Sequence, residues 1–203
     1  MRALLITGGT GDLGHAVVSS LAANYRCIIL YREEKAWQEL RKSIRGDNIT
    51  GVSDASRVTD PIYGVLHLAG TFAMGSSPDD FQRLLDACLF SAVRAIQPVE
   101  PRIIDGGRIV AISALATLTR PPGMAAYVTA KSALNAYIEV LAKELRPRKI
   151  TVNALLPSVL DTPSGRKSTA RDLLVPLQRV TDTIAFLLGD SAASITGQLI
   201  ALT

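Results

Sequence analysis

A chain of 203 residues, 48% hydrophobic and 20% charged, holds enough apolar side chains for one sizeable core and excludes a disordered or low-complexity polypeptide. Its net charge of +4 comes from scattered cations such as Arg146, Arg148 and Lys149, with no dense basic block or interleaved aromatics, which argues against nucleic-acid binding and for solvated surface charge, an excess that an anionic small molecule would also use. Cys27 lies in an apolar run and Cys88 inside a helix-like segment, so both read as buried small hydrophobes and not as a disulfide or a metal pair, and His15 and His67 do not make a zinc site, so no metal is expected.

The chain opens on ALLIT (3–7), an apolar run far too short for a signal peptide, which breaks at once into glycines and reads as a first strand. No stretch approaches the apolar length needed to span a bilayer, so no membrane association and a cytoplasmic location are expected. TGGTGDLG (7–14) follows that strand and opens a helix at about 12–24, whose Leu13, Ala16, Val17 and Leu21 share one face. Gly8, Gly9, Gly11 and Gly14, with Thr10 among them, permit close backbone approach, so that exposed N–H groups and a helix N-terminus can meet a dinucleotide pyrophosphate. Asp12 would repel such a phosphate unless it points away or caps the helix, and it is expected to cap.

The second strand, CIILY (27–31), runs into LYREEK. An acid at this strand's end would bind the ribose hydroxyls of NAD, whereas Tyr31 followed by Arg32 suits the 2′-phosphate of NADP. Glu33 and Glu34, at the head of a helix over 33–44, keep NAD open but are also ordinary N-terminal acids. Further strands are predicted at 49–52, 64–69, 108–113, 150–156 and 197–202, and helices at about 78–97, 123–146 and 179–189. Only the link SDASRVTDPIY, between strands three and four, is too short for a crossover helix. Strands apolar throughout need cover on both faces, which predicts an α/β fold: one doubly wound Rossmann-type domain with a seven-stranded, mostly parallel sheet and its ligands at the carboxyl ends of the strands.

Tyr127 and Lys131 stand one turn apart in the helix over 123–146, a spacing common on any helix; its weight comes from its company. TGGTGDLG, HLAG (67–70), PGMAAYVTAKSAL (122–134), NALLPSVLDTP (153–163) and ITGQLIAL (195–202), in that order, resemble the short-chain dehydrogenase/reductase family along nearly the whole chain. The resemblance implies an NAD(P)H-dependent oxidoreductase in which Tyr127 is the acid or base and Lys131 lowers its pKa and holds the nicotinamide ribose. It also implies a cofactor site with Gly8, Gly9, Thr10, Gly11, Asp12, Leu13 and Gly14 at the diphosphate. Tyr31 and Arg32 would meet the adenosine ribose from one side and Ala69 and Gly70 from the other, while Asp54 and Ala55 flank the adenine. Pro157 to Thr162 would pass the nicotinamide, Val159 against its ring and Thr162 at the carboxamide or diphosphate.

Departures from the family pattern are specific. Its serine usually lies thirteen positions before the tyrosine, where this chain has Ala114; Ser113 could serve only if the backbone bulges, and Thr117 is a second candidate. The helix-four asparagine corresponds to Cys88, and the Asn-Asn of the usual Asn-Asn-Ala-Gly to His67-Leu68, His67 reading as a core histidine. PGMAAYVTAK and LDTPSGRK (160–167) resemble the dihydropteridine reductase branch, which lacks the serine, although Tyr31-Arg32 departs from its acidic, NADH-type strand ending. The resemblance therefore implies a small carbonyl or a conjugated imine or quinonoid as the acceptor; the alternative of another class is a non-catalytic NAD(P)-binding redox sensor. Residues 163–178 are expected to form a short substrate lid, with Arg166, Lys167 and Arg171 either drawing an anionic substrate or solvating a loop. Relatives pair the helices corresponding to 78–97 and 123–146, which implies a homodimer or homotetramer.

Overall fold

Alternation along the first strand sets the layers of the structure, a computed structural model describing residues 1–203. In β1 (Arg2–Thr7) Leu4 and Ile6 face one side and Ala3 and Leu5 the other, as the period of two in a strand requires. The first side is covered by α1 (Asp12–Leu21), α2 (Glu34–Ser43) and α8 (Leu177–Leu188), through Val17, Trp37, Leu40 and Ile184. The second is covered by α4 (Ser91–Ile96) and α6 (Ala125–Glu144), through Ala92, Ile96, Leu134 and Ile138.

Six strands join β1: β2 (Tyr25–Leu30), β3 (Ile49–Val52), β4 (Ile62–His67), β5 (Ile103–Ile112), β6 (Thr151–Pro157) and β9 (Leu199–Leu202). They form one parallel sheet in the order β3-β2-β1-β4-β5-β6-β9. β4 and β6 are buried at every position, which accounts for their largely apolar sequence, interrupted only by His67 in β4 and by Thr151 and Asn153 in β6. Leu66 in β4 is fully buried against the helices on the first side. Leu66→Ala is expected to cost about 2–5 kcal/mol, read as a lowered urea midpoint with an unchanged slope.

The seven-stranded sheet and both helical layers are as predicted, with instructive differences at the edges. β2 stops at Leu30, leaving Tyr31 outside the sheet, and β4 stops at His67, leaving Leu68 and Ala69 in the loop above it. β5 begins at Ile103, not 108, because its pairing with β4 shifts register around Gly106, which adopts φ +77. The predicted helix over 78–97 is α3 (Pro78–Leu85), a π-turn over Asp86–Phe90, then α4. Ser77 and Asp80 close a capping box at its start. Between β3 and β4 there is only a single 3₁₀ turn, Ala55–Arg57. Four short elements had no sequence signal: α5 (Ala116–Thr119), β7 (Val159–Leu160), α7 (Gly165–Ser168) and β8 (Leu174–Val175), with β7 and β8 paired in parallel. No helix is long and apolar enough to cross a membrane.

Candidate active site

From β1 the chain proceeds to β2 on one side and, across the sheet, β4 leads to β5 on the other, so a crevice opens above the carboxyl ends of β1 and β4. It holds a cleft of about 1200 Å³. Of the predicted cofactor residues, Gly8, Thr10, Gly11, Asp12, Leu13, Gly14, Tyr31, Arg32, Asp54, Ala55, Ala69, Gly70 and Thr162 line it. Gly9, Tyr127, Lys131, Pro157 and Val159 do not. Gly9 belongs to the turn but faces inward, where an added Cβ would lie 3.0 Å from Ile29 Cγ2. Sequence reasoning missed the wall formed by Ala87, Ser91 and Ala95. Their spacing of four places three small residues on one helical face, which is the signal that could have revealed it.

Two glycines are sterically required. Gly8 adopts φ +67 and passes so close to the loop after β4 that a Cβ would lie 2.6 Å from Ala69 N. At Gly14 a Cβ would lie 2.1 Å from Gly8 O. The expected capping role of Asp12 does not hold: the N-cap is Gly11, without a side-chain cap bond, and Asp12 is the exposed first residue of α1. Its charge favours the helix dipole and opposes an anion in the cleft.

Around the adenosine end, Tyr31 stacks on Trp37 with ring centroids 5.9 Å apart and planes at 4°. The Tyr31 hydroxyl and the Gln38 amide both bond to Glu34 and hold its carboxyl below the usual range, so Glu34 is already engaged by the chain around it. Arg32 is exposed on the cleft and forms no ion pair. Asp54 accepts from Ser56 N at 2.8 Å.

The Lys131 ammonium is buried and donates to Ile112 O at 2.8 Å; its other two N–H groups find no protein acceptor. Burial pulls its pKa down. It adjoins the cleft at Gly70, where a Cβ would lie 3.0 Å from Nζ. Tyr127 is half-buried beside Leu84, Cys88, Ala126 and Ala130, with Phe72 meeting it edge to face at 5.1 Å. Burial first, then the Cys88 thiol, pushes the phenol pKa up, and no lowering by Lys131 enters the balance.

Neither candidate hydroxyl is free. The β5–β6 ladder continues regularly through Ser113, whose N–H donates to Leu155 O at 2.8 Å, so the bulge that would turn its side chain is not present. Ser113 Oγ donates to Lys131 O at 3.5 Å. Thr117 Oγ1 donates to Ala114 O at 2.9 Å and accepts from Asn135 Nδ2 at 3.1 Å. His67 is fully buried and neutral, with burial and then the Lys131 charge depressing its pKa to about 3. Pro157 ends β6, and Val159 sits in β7 opposite Leu174. Thr162 Oγ1 accepts from Gly165 N at 3.1 Å. In the segment beyond, Arg166 pairs with Asp161 at 2.5 Å, whereas Lys167 and Arg171 are exposed and form no ion pair.

Comparison with known proteins extends this picture. The family described as enoyl-(acyl carrier protein) reductase matches residues 50–202. A 3-oxoacyl-[acyl-carrier-protein] reductase of Aggregatibacter actinomycetemcomitans is 28% identical, with 98% of this chain and 96% of the relative covered. The aligned stretch of 234 residues is longer than this chain, which therefore spans its relative with fewer residues. The structure of BdcA in complex with NADPH superposes with a TM-score of 0.85 at 25% identity, covering 99% of this chain and 92% of that one. A 3-ketoacyl-(acyl-carrier-protein) reductase from Brucella melitensis complexed with NADH gives 0.85 at 21% identity, covering 99% and 96%.

Proposed function

The chain belongs to the short-chain dehydrogenase/reductase family and is an NAD(P)-dependent oxidoreductase, and from that premise we propose that it uses NADPH to reduce a small carbonyl, with Tyr127 supplying the proton. The observation that carries this reading is the junction at Gly70. There a cleft floored by the glycine turn meets the buried Lys131 ammonium, whose two unpartnered N–H groups suit the hydroxyls of a ribose. The residues present fit a nicotinamide dinucleotide: Gly8, Gly11 and Gly14 leave the backbone approachable at the N-terminus of α1, and Ala69 and Gly70 form the opposite rim. When bound, the cofactor supplies a hydride; the protein supplies binding, orientation and the proton.

The preference for NADPH rests on Arg32, which is unpaired on the cleft while Glu34 is engaged by Tyr31 and Gln38. Arg32→Asp is expected to move the ratio of kcat/KM for NADPH over NADH by at least about tenfold toward NADH, by removing a phosphate-binding cation and adding a ribose acceptor. An unchanged ratio would remove Arg32 from the specificity argument.

A second acceptor class, a conjugated imine or quinonoid of the dihydropteridine kind, is favoured by a different observation. Ser113 and Thr117 both donate their hydroxyl protons to backbone carbonyls, and Ala114 has none to give, so of the hydroxyls the family pattern offers only that of Tyr127 is free for a substrate. A conjugated acceptor needs no second donor on a carbonyl oxygen, and the half-exposed Phe72 ring beside Tyr127 offers an apolar wall to a planar molecule. NADPH and NADH oxidation against quinonoid dihydropterin, ketones, aldehydes and quinones separates the two classes. Cofactor binding without turnover on any of them would favour the sensor alternative.

A further inference from the structure

The catalytic reading leaves one buried titratable side chain unused. His67 ends β4, and its two ring nitrogens reach different parts of the molecule. Nδ1 lies 2.9 Å from Thr7 Oγ1, and Nε2 lies 3.4 Å from Ser91 Oγ. The tautomer follows from the protons available. Ser91 already donates its hydroxyl proton to Ala87 O at 2.6 Å, so toward His67 it can only accept. Thr7 Oγ1 accepts from Ala69 N at 3.2 Å, and its own proton has an acceptor only if Nδ1 is bare. Every proton in the string is placed when His67 is neutral with its hydrogen on Nε2.

What the string joins gives it a function. Thr7 immediately precedes Gly8, and its bond to Ala69 N sets the close approach of the two loops that form the cleft floor. At the other end, the π-turn redirects its ladder so that Ser91 N reaches back to Asp86 O, and the Ala87 carbonyl is then taken up by the Ser91 hydroxyl, whose oxygen faces His67 Nε2. The charged group that faces His67 is Lys131, whose cation opposes protonation of the ring.

We propose that His67, as the neutral Nε2–H tautomer, is a positioning residue for the cofactor: through Thr7 it holds the glycine turn against Ala69, and through its other nitrogen it holds the π-turn whose Ala87 and Ser91 line the same cleft. The proposal rests on the reading of that cleft as a nicotinamide-dinucleotide site. It separates two roles that one substitution each can remove. Asparagine puts an amide oxygen near the place of Nδ1 and keeps the Thr7 bond; glutamine reaches the place of Nε2; leucine keeps neither.

The test uses the full chain and two readouts. Long-range ¹⁵N correlation spectra of the wild type are expected to show a bare Nδ1 and a protonated Nε2 for His67 throughout the neutral range. Fluorescence titration with NADPH and NADH is expected to show His67→Asn binding within about threefold of wild type and His67→Leu at least about tenfold weaker, since only the latter strands Thr7. Both variants melt lower, because both lose the π-turn bond. A purely structural histidine would make affinity follow the melting temperature instead. A protonated Nδ1 or an imidazolium, leucine binding as well as wild type, or asparagine binding as poorly as leucine would each overturn the proposal. If His67→Leu does not fold, His67→Gln replaces it, and asparagine binding no better than glutamine is then the overturning result. Wild type that binds neither nucleotide overturns the reading of the cleft, and with it the role of His67 toward a cofactor, whereas the spectrum alone judges the tautomer.

Discussion

Tyr127→Phe is expected to lower turnover by about 10²–10⁴-fold while nucleotide affinity and melting temperature stay near wild type. The separation is sharp because of what the hydroxyl does not do. It makes no hydrogen bond within the protein, so its removal strands no partner, and the ring keeps its edge-to-face contact with Phe72 and its packing beside Leu84 and Ala130. Stability should therefore change by no more than about 0.5 kcal/mol. The pH dependence carries a sign as well. Burial and Cys88 hold the phenol above its ordinary pKa, so the acid form needed for reduction persists through the neutral and mildly alkaline range and that rate should be flat. Oxidation of the product alcohol needs the phenolate and should rise with pH. Steady-state rates in both directions, with a thermal melt and a nucleotide titration of the variant, check all three statements; a variant that retains turnover would remove Tyr127 from the chemistry.

Gly14→Ala has the second largest expected effect, and it runs against the usual rule. Within a helix alanine is normally the better residue by about 0.5–1 kcal/mol. Here its methyl would stand 2.1 Å from Gly8 O and 2.5 Å from Gly9 Cα, backbone atoms of the turn itself, so α1 and the turn must separate. A destabilisation of about 1–3 kcal/mol is expected, as for other overpacked positions. Because Gly8 in turn abuts Ala69, the displacement passes to the cleft floor, and NADPH affinity should fall by at least about 100-fold. Gly11→Ala is the internal control: its φ is −85 and an added Cβ meets nothing nearer than 3.6 Å, so the fold should tolerate it. Urea unfolding of both variants, followed by nucleotide titration, distinguishes a local clash from a general intolerance of the turn.

The parts of this molecule legible in its sequence are those governed by local periodicity or by a short motif. β4 and β6 are buried on both faces, so apolar runs announced them, and the glycine turn was readable because its spacing has a steric cause. The parts that were not legible depend on contacts between distant residues. β7 and β8 hold only two residues each and exist through pairing across the chain, which no window of sequence contains. The π-turn inserts into a stretch whose helical pattern continues on both sides, so periodicity alone ran one helix through it. Asp12 looked like a cap because its residue type is right; the chain places Gly11 at that position, in extended conformation. In the candidate site, residue types pointed to Ser113 and Thr117, but which way a hydroxyl donates was decided by the carbonyls of Lys131 and Ala114.

The pairing of β7 with β8 has a consequence in time. Residues 161–173 leave the body of the molecule at one of these strands and return at the other, so their ends are clamped side by side. A loop closed at its base and this short has little entropy left to gain by opening. Its excursions are then expected among the nanosecond-to-microsecond motions of loops, ahead of any slower hinged swing of a whole segment. Were this segment, which borders the cleft at Thr162, to cover a bound molecule, such motions would be too fast to limit a catalytic cycle, and the slow step would fall to chemistry or to release of the nucleotide.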